Sequence, residues 1–329
     1  MAAVTVIIPN YNGLKFLGPC MEALKRQTYR DFKVLVVDNG STDGSVKWLK
    51  EQRIPSIFLK ENTGFSGAVN AGIKEADTPY VLLLNNDTEA EPGFVGALAA
   101  CIGRSERIFA VSSKMIQLSH RDRMDSAGDM YCILGWAYQR GVGQSSRGFN
   151  RMREVFSACA AGAIYRREVF ETIGYFDERH FAYLEDVDVC YRARIFGYHV
   201  LYCPQAVLYH VGSATSGSKY NDFKVKLAAR NSIYLIYKNM PWIQLLANSV
   251  FLALGIGVKY LFFKNRGFEK AYAEGLKEGL STVRFCEKVA FRRQHTGNYL
   301  AIQWQLLTGL VLYVYEFSKR QAGKIGGKF

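Results

Sequence analysis

Cysteine is sparse in this chain and forms no pattern. The seven residues, at 20, 101, 132, 159, 190, 203 and 286, are odd in number and contain no C-x-x-C pair. That argues against a zinc site or a disulfide framework, and a reducing cytosol is the simplest home. The opening MAAVTVIIPN lacks a basic leader and has only five consecutive apolar residues, so it reads as a strand and not as a signal peptide. No repeat of solenoid period occurs. Acidic residues almost vanish from the last third: residues 219–329 carry 18 Lys and Arg against 6 Asp and Glu, whereas residues 1–218 carry 24 against 23. The net charge of +13 therefore belongs to the tail, and calls for an anionic partner: nucleic acid, an acidic membrane or substrate phosphates.

What remains is an ordinary globular composition, 49% hydrophobic and 22% charged over 329 residues. It is long enough to bury a core without staples, as one large domain or two modest ones. Four similar units open it. Apolar runs at Val4–Ile8, Phe32–Val37, Ser56–Leu59 and Tyr80–Leu84 alternate with helical patterns near 14–27, 45–52, 66–76 and from 92. Strands apolar throughout, alternating with helices, predict a parallel sheet covered on both faces. Ligands of open α/β sheets bind outside the carboxyl ends of the strands, so Asn10, Asp38, Asn62 and Asp87 are expected to converge.

Each candidate has a plainer alternative. Asp38, in VVDNGSTDGS, is placed to accept from a nucleobase or ribose, or to form an Asx-turn. Its pairing with Pro9, Asn10 and Asn12 one strand away favours the first. NTGFSGAVNAG, holding Asn62, Gly64 and Asn70, opens a helix whose amides could approach a phosphate. Asp87 follows Asn85 and Asn86 and is a hard ligand for Mg²⁺ or Mn²⁺ on a diphosphate, or a helix cap. Glu185, Asp186 and Asp188 sit where a helix should begin, either as a general base or as dipole-favoured caps. His210 is a satisfied structural histidine or a metal ligand beside Asp87.

Residues 117–154 read as loops that could cover the site as a lid; beyond them come a strand at 160–165, helices at 167–173 and 187–196, and short strands at 200–202 and 206–209. In the tail, 239–258 and 294–315 are uncharged, and 268–291 reads as one amphipathic helix. Long apolar helices beside basic ones suggest a membrane surface. The alternative is a helical subdomain packed on the catalytic domain or on a second subunit in a homodimer. No groove-reading motif is present, so nucleic acid is not an expected partner.

Taken in order, VTVIIPNYNG, VVDNGSTDGS, NTGFSGAVNAG, LLLNNDTEAEP, GYFDERHFAYLEDVDVCYRARIFGY and AVLYHVGSAT resemble glycosyltransferase family 2, inverting enzymes of the GT-A fold. Within it they look most like bacterial rhamnosyltransferases of surface polysaccharide synthesis. The resemblance implies an α/β GT-A domain with a mixed sheet over 1–218, with a nucleotide-sugar half at 1–116 and an acceptor half at 117–218. A basic helical region at 219–329 would follow. Pro9, Asn10 and Asp38 would bind the nucleoside of a UDP- or dTDP-sugar, with Asn12, Asn62, Gly64, Asn70, Asn85 and Asn86 completing that side. Asp87 would hold a divalent cation with His210, Asp186 would be the base and Glu185 its neighbour. Asn85 replaces the first carboxylate of the family's D-x-D, which bears on metal affinity. A lipid-linked saccharide acceptor and the cytoplasmic face of an anionic membrane follow by the same resemblance. The competing reading is a non-catalytic nucleotide-sugar-binding or membrane scaffold protein with a degenerate site.

Overall fold

A computed structural model describes residues 2–212 and 220–325. The expected boundary at 218/219, and residues 213–215 of the last motif, lie outside them. The chain runs β1 (Val4–Asn10), α1 (Leu14–Lys25), β2 (Phe32–Asp38), α2 (Ser45–Glu51), β3 (Ser56–Phe58), α3 (Gly64–Glu75), β4 (Tyr80–Leu84), β5 (Thr88–Ala90) and α4 (Phe94–Ile102). It continues through β6 (Ile108–Gln117), β7 (His120–Ser126), β8 (Asp129–Cys132), β9 (Trp136–Gln139), β10 (Arg153–Glu154), β11 (Gly162–Arg166), α5 (Val169–Ile173), α6 (Glu185–Ile195) and β12 (His199–His210). Four long helices follow: α7 (Asp222–Asn239), α8 (Trp242–Lys264), α9 (Glu269–Thr282) and α10 (Thr296–Ile325).

The main sheet has the order β10-β12-β6-β11-β4-β1-β2-β3. The half made by β4, β1, β2 and β3 is parallel, as β-α-β crossovers require. β11 then runs antiparallel between β4 and β6 and makes the sheet mixed. Apolar side chains fill both faces: Ile7, Val69, Leu83 and Tyr165 lie in one cluster, Val6, Leu17, Leu82 and Phe94 in the other. Burial on both faces explains the uninterrupted hydrophobic runs of β1 and β4.

Three expectations change. Residues 117–154 are not a loop lid: β7 folds back to pair antiparallel with β6, and β8–β9 form a separate hairpin. The strands at 200–202 and 206–209 are one strand, β12, with a register shift between Cys203 and Val207. The helix expected over 268–291 stops at Thr282, because the chain turns back to set the Val289 amide on the Lys238 carbonyl.

The tail is welded to the sheet domain. Lys238 of α7 is buried between Asp177 (2.7 Å) and Asp188 (2.8 Å). The β8–β9 hairpin lies against α8 and α10, where Trp136 donates to the Gly255 carbonyl (3.1 Å) and Tyr138 to that of Gly309 (2.6 Å). A Cβ at Gly255 would fall 2.1 Å from the Leu134 oxygen, so only glycine allows that approach.

Helix α8 has its polarity reversed. Gln244 and Asn248 face inward and bond Gln303 of α10, while Trp242, Ile243, Leu246, Val250 and Leu254 are exposed. On α10, Leu300, Trp304 and Val311 are exposed as well. Among the described residues α8 is the one helix long and apolar enough to cross a membrane.

Candidate active site

Asn10 and Asp38 end neighbouring parallel strands and stand opposite each other in register. The β1–β4 ladder stops at Ile7 and Leu83, two residues before Pro9, so the strands part there and a crevice opens beyond them. Asn10 is fully buried. Its Nδ2 donates to Asp38 Oδ2 (2.8 Å) and its Oδ1 accepts from Asn86 Nδ2 (2.7 Å). The second Asp38 oxygen accepts from the Ser41 amide (3.0 Å). Asn12, at φ 49°, accepts from the Thr42 amide (2.8 Å). Further out, Asn39 Nδ2 donates to Asn62 Oδ1 (3.0 Å), which also accepts from the Gly64 amide (2.9 Å). Burial demands partners for such groups, and here they find one another, tying the ends of four strands into one polar rim.

Asn70 is turned away from that rim. It brackets the chain before the acidic helix, donating to the Phe176 carbonyl (2.8 Å) and Glu178 (2.9 Å) and accepting from the Phe176 amide (3.1 Å). Gly64 meets the same segment from the front: its φ is +75°, and a Cβ there would lie 2.4 Å from the Phe181 oxygen.

The residues after β4 form a second corner. Asn85 is half-buried, its amide on the Ala161 carbonyl (3.0 Å). Asp87 is buried, with Oδ1 3.5 Å from His210 Nε2. The two meet because β12 pairs antiparallel with β5, His210 opposite Thr88. The other ring nitrogen, Nδ1, bonds Asp125 at 2.8 Å. Burial alone would lower the imidazole's pKa, but Asp125 and Asp87 outweigh it and push it up to about 10. A carboxylate on one ring nitrogen with the other aimed at a second carboxylate is the support typical of a metal-ligating histidine. The oxygen and nitrogen donors of Asp87 and His210 suit a divalent cation.

The acidic helix supplies the third corner. Sequence could not separate Glu185, Asp186 and Asp188; their surroundings do. Asp188 is wholly buried and paired with Lys238 (2.8 Å), Arg192 (3.1 Å) and Asn239 (2.8 Å), so it holds the structure together. Among the described residues Asp186 has only backbone donors, the amides of Val187 (2.8 Å) and Ala160 (3.4 Å). Burial raises its pKa to about 6 against those bonds. Glu185 is buried, its Oε2 has no partner among the described residues, and burial with Asp186 nearby drives it well up.

Two acids here escaped the sequence reading. Asp125 orients His210, and Asp129 lies buried at the start of β8. The ligand atoms of Asp129, Cys159 and Asp186 all fall within 4.8 Å of one another. Burial and Asp186 push Asp129 well up, and burial does the same to the Cys159 thiol. A protonated thiol makes this cluster a poor home for a hard cation. A cavity of about 580 Å³ lined by Arg107, His199 and Asn298 opens at the far end of β12 and takes no part in the site.

Comparison with known proteins agrees with this geometry. The family model for glycosyl transferase family 2 matches residues 5–174. An N-acetylglucosaminyl-diphospho-decaprenol L-rhamnosyltransferase of Mycobacterium tuberculosis is 30% identical over 266 residues, 72% of this chain and 85% of that protein. Two other curated relatives are far longer, the chain spanning 25% and 13% of their lengths. Among solved structures, S. aureus TarS 1–349 with UDP-GlcNAc superposes with a TM-score of 0.57 at 18% identity, covering 100% of this chain and 93% of that one. The mannosyltransferase PcManGT of Pyrobaculum calidifontis, with GDP-Man and Mn²⁺, gives 0.53 at 17%, covering 97% and 87%. The family match spans half of the chain and the mycobacterial protein aligns over most of its length: this chain belongs to glycosyl transferase family 2, on the GT-A fold.

Proposed function

We propose that the protein is an inverting glycosyltransferase. It moves a sugar from a UDP- or dTDP-sugar, dTDP-L-rhamnose first, to a hydroxyl of a lipid-linked saccharide in bacterial surface polysaccharide synthesis. The observation that carries the reading is the state of Asp186: a half-buried carboxylate with no cationic partner among the described residues, raised toward neutrality at a helix start beside the crevice. A general base works best with its pKa near the working pH. Asp186 takes the proton of the attacking hydroxyl while the nucleoside lies against Pro9, Asn10, Asn12 and Asp38. Asn62, Gly64, Asn85 and Asn86 line the way to the sugar. One displacement with one base inverts the anomeric centre; retention by double displacement needs a carboxylate nucleophile as well. Asp87 and His210 would hold Mg²⁺ or Mn²⁺, whose charge would stabilise the departing diphosphate. Rhamnose and a polyprenyl-linked acceptor are supported by the activity for which the mycobacterial relative is named.

The tail supports a membrane location for this chemistry. Besides the apolar outer faces of α8 and α10, the tail exposes Lys264, Arg266, Lys270, Lys277, Arg292 and Arg293, each contributing about 1 kcal/mol beside anionic lipid. Because the polar side of α8 is used up against α10, we place the helix in the interface on the cytoplasmic face rather than across the bilayer.

The test is a screen of UDP- and dTDP-sugars with and without Mn²⁺ or Mg²⁺, followed by a short-chain polyprenyl-diphospho-N-acetylglucosamine as acceptor. Metal-dependent binding and transfer from one donor, with inversion, is the expected result. Failure to bind any donor would overturn the reading.

A further inference from the structure

The turn that delivers Asp186 is held in an unfavourable conformation. Five non-glycine residues among those described have positive φ, and three of them, Phe181 (61°), Tyr183 (72°) and Leu184 (67°), fall in the four positions directly before Glu185. Side chains bearing a Cβ disfavour that region, and consecutive residues rarely share it. Strain of this kind persists where the surroundings over-determine it.

The surroundings here are α7, in the last third of the chain. Asn231 is fully buried, and its Nδ2 donates to the carbonyls of His180 (2.9 Å), Ala182 (2.9 Å) and Tyr183 (2.8 Å). Two N–H bonds thus serve three oxygens gathered on one point, oxygens that would repel one another without a donor between them. Arg230 adds Nη2 bonds to the carbonyls of Arg179 (2.8 Å) and His180 (3.1 Å). On the opposite side the Phe181 carbonyl accepts from the Ser66 amide (3.2 Å) at the start of α3. The turn is gripped between the nucleotide-side helix and α7, and Asp186 follows two residues after it.

We propose that Asn231 is a positioning residue for Asp186. Its amide locks residues 180–184 in their left-handed turn and so fixes the direction of the Asp186 carboxylate, without touching the reacting atoms. The inference rests on the reading of Asp186 as the base. It also gives the tail a part in catalysis that an independent membrane anchor would not have.

The test uses the full chain and the donor selected by the screen, comparing Asn231→Ala with Asp186→Asn. Asn231→Ala should lower turnover about 100-fold and leave the donor Kd within threefold. Glycine takes positive φ without a clamp, so adding Leu184→Gly to Asn231→Ala should restore turnover at least tenfold, a rescue that a mere packing role does not produce. Should Asn231→Ala not fold, Asn231→Ser poses the same question. Turnover within threefold of the parent, or no rescue by Leu184→Gly, overturns the positioning role. Full turnover in Asp186→Asn overturns the base assignment itself and the inference with it, so the two failures are told apart.

Discussion

The two walls of the crevice are built on opposite principles. On the strand-end wall, Asn10, Asn12, Asp38, Asn39, Asn62 and Asn86 spend their polar groups on one another or on nearby backbone. On the acidic wall, Asp129, Glu185 and Asp186 crowd together with no cationic partner among the described residues, and burial holds all three above their ordinary range. The fold does not force this second state, because Asp188, two residues on, is fully paired. A satisfied wall is rigid before any ligand arrives. An unsatisfied one holds free energy in reserve, the usual signature of groups kept for chemistry.

The sharpest way to break the comparison is to neutralise one acid on the same helix at a time. Asp186→Asn should cut turnover at least about 10³-fold, within the range set by loss of an essential base, with donor affinity kept by the other wall. The parent enzyme should lose kcat/KM as pH falls through about 6. The same substitution should stabilise the fold. A carboxyl raised from about 3.9 to about 6 makes the folded state bind its proton more tightly, so its penalty grows from pH 4 to 6 and is complete above that. Removing it should raise stability at neutral pH, read as a higher Tm. Unchanged turnover with unchanged Tm would dissolve the contrast between the walls.

Asp188→Asn should do the reverse. Burial would raise this carboxyl, but Lys238 and Arg192 hold it far below the usual range. A depressed carboxyl contributes stability above its unfolded pKa and loses it as pH falls. Leaving Lys238 and Arg192 short of a partner should cost about 3 kcal/mol, with a flatter loss of stability in acid. Denaturant unfolding at pH 7 and pH 4 checks both signs.

The strand-end wall was legible in sequence and the acidic wall was only half so, for physical reasons. Strands buried on both faces must be apolar throughout, so the polar residue that ends each one stands out, and Asn10, Asp38 and Asp87 could be placed by inspection. Strand β7, reading HRDRMDS, has four exposed residues before its buried Met124 and Ser126. It looks like a solvated loop, and Asp125 and Asp129 were lost with it. Glu185, Asp186 and Asp188 are equivalent until Lys238, fifty residues further on, selects one of them. In α8, composition alone could not say that its polar side faces inward, since that depends on Gln303 of another helix.

A smaller effect sharpens the metal corner. Asp125→Asn leaves Asp87 and His210 in place but weakens the bond that orients the imidazole. Support of this kind typically accounts for 10–100-fold in metal affinity, so the Mn²⁺ concentration giving half-maximal activity should rise by that factor, with turnover recovered at saturating metal. The outer face of the tail is tested without touching either wall. Val250→Glu with Trp304→Glu should abolish flotation with anionic vesicles while the soluble-donor Kd holds. Deleting residues beyond 219 would not serve, because it also removes Lys238 and Asn231.

The smallest expected change belongs to Glu185→Gln. Burial and the neighbouring charge of Asp186 push the Glu185 carboxyl well above its ordinary range, and an amide is a close isostere of its protonated form. Stability should move by less than about 0.5 kcal/mol, the range of substitutions that remove no favourable contact, and turnover by less than tenfold. The acidic limb of the pH profile should stay where it is. Burial is what raises Asp186, and the Asp186 charge opposes ionisation of Glu185, so Glu185 gives up its proton second and is uncharged while Asp186 titrates. A limb that shifts to lower pH would mean that an ionised Glu185 repels Asp186 in the parent.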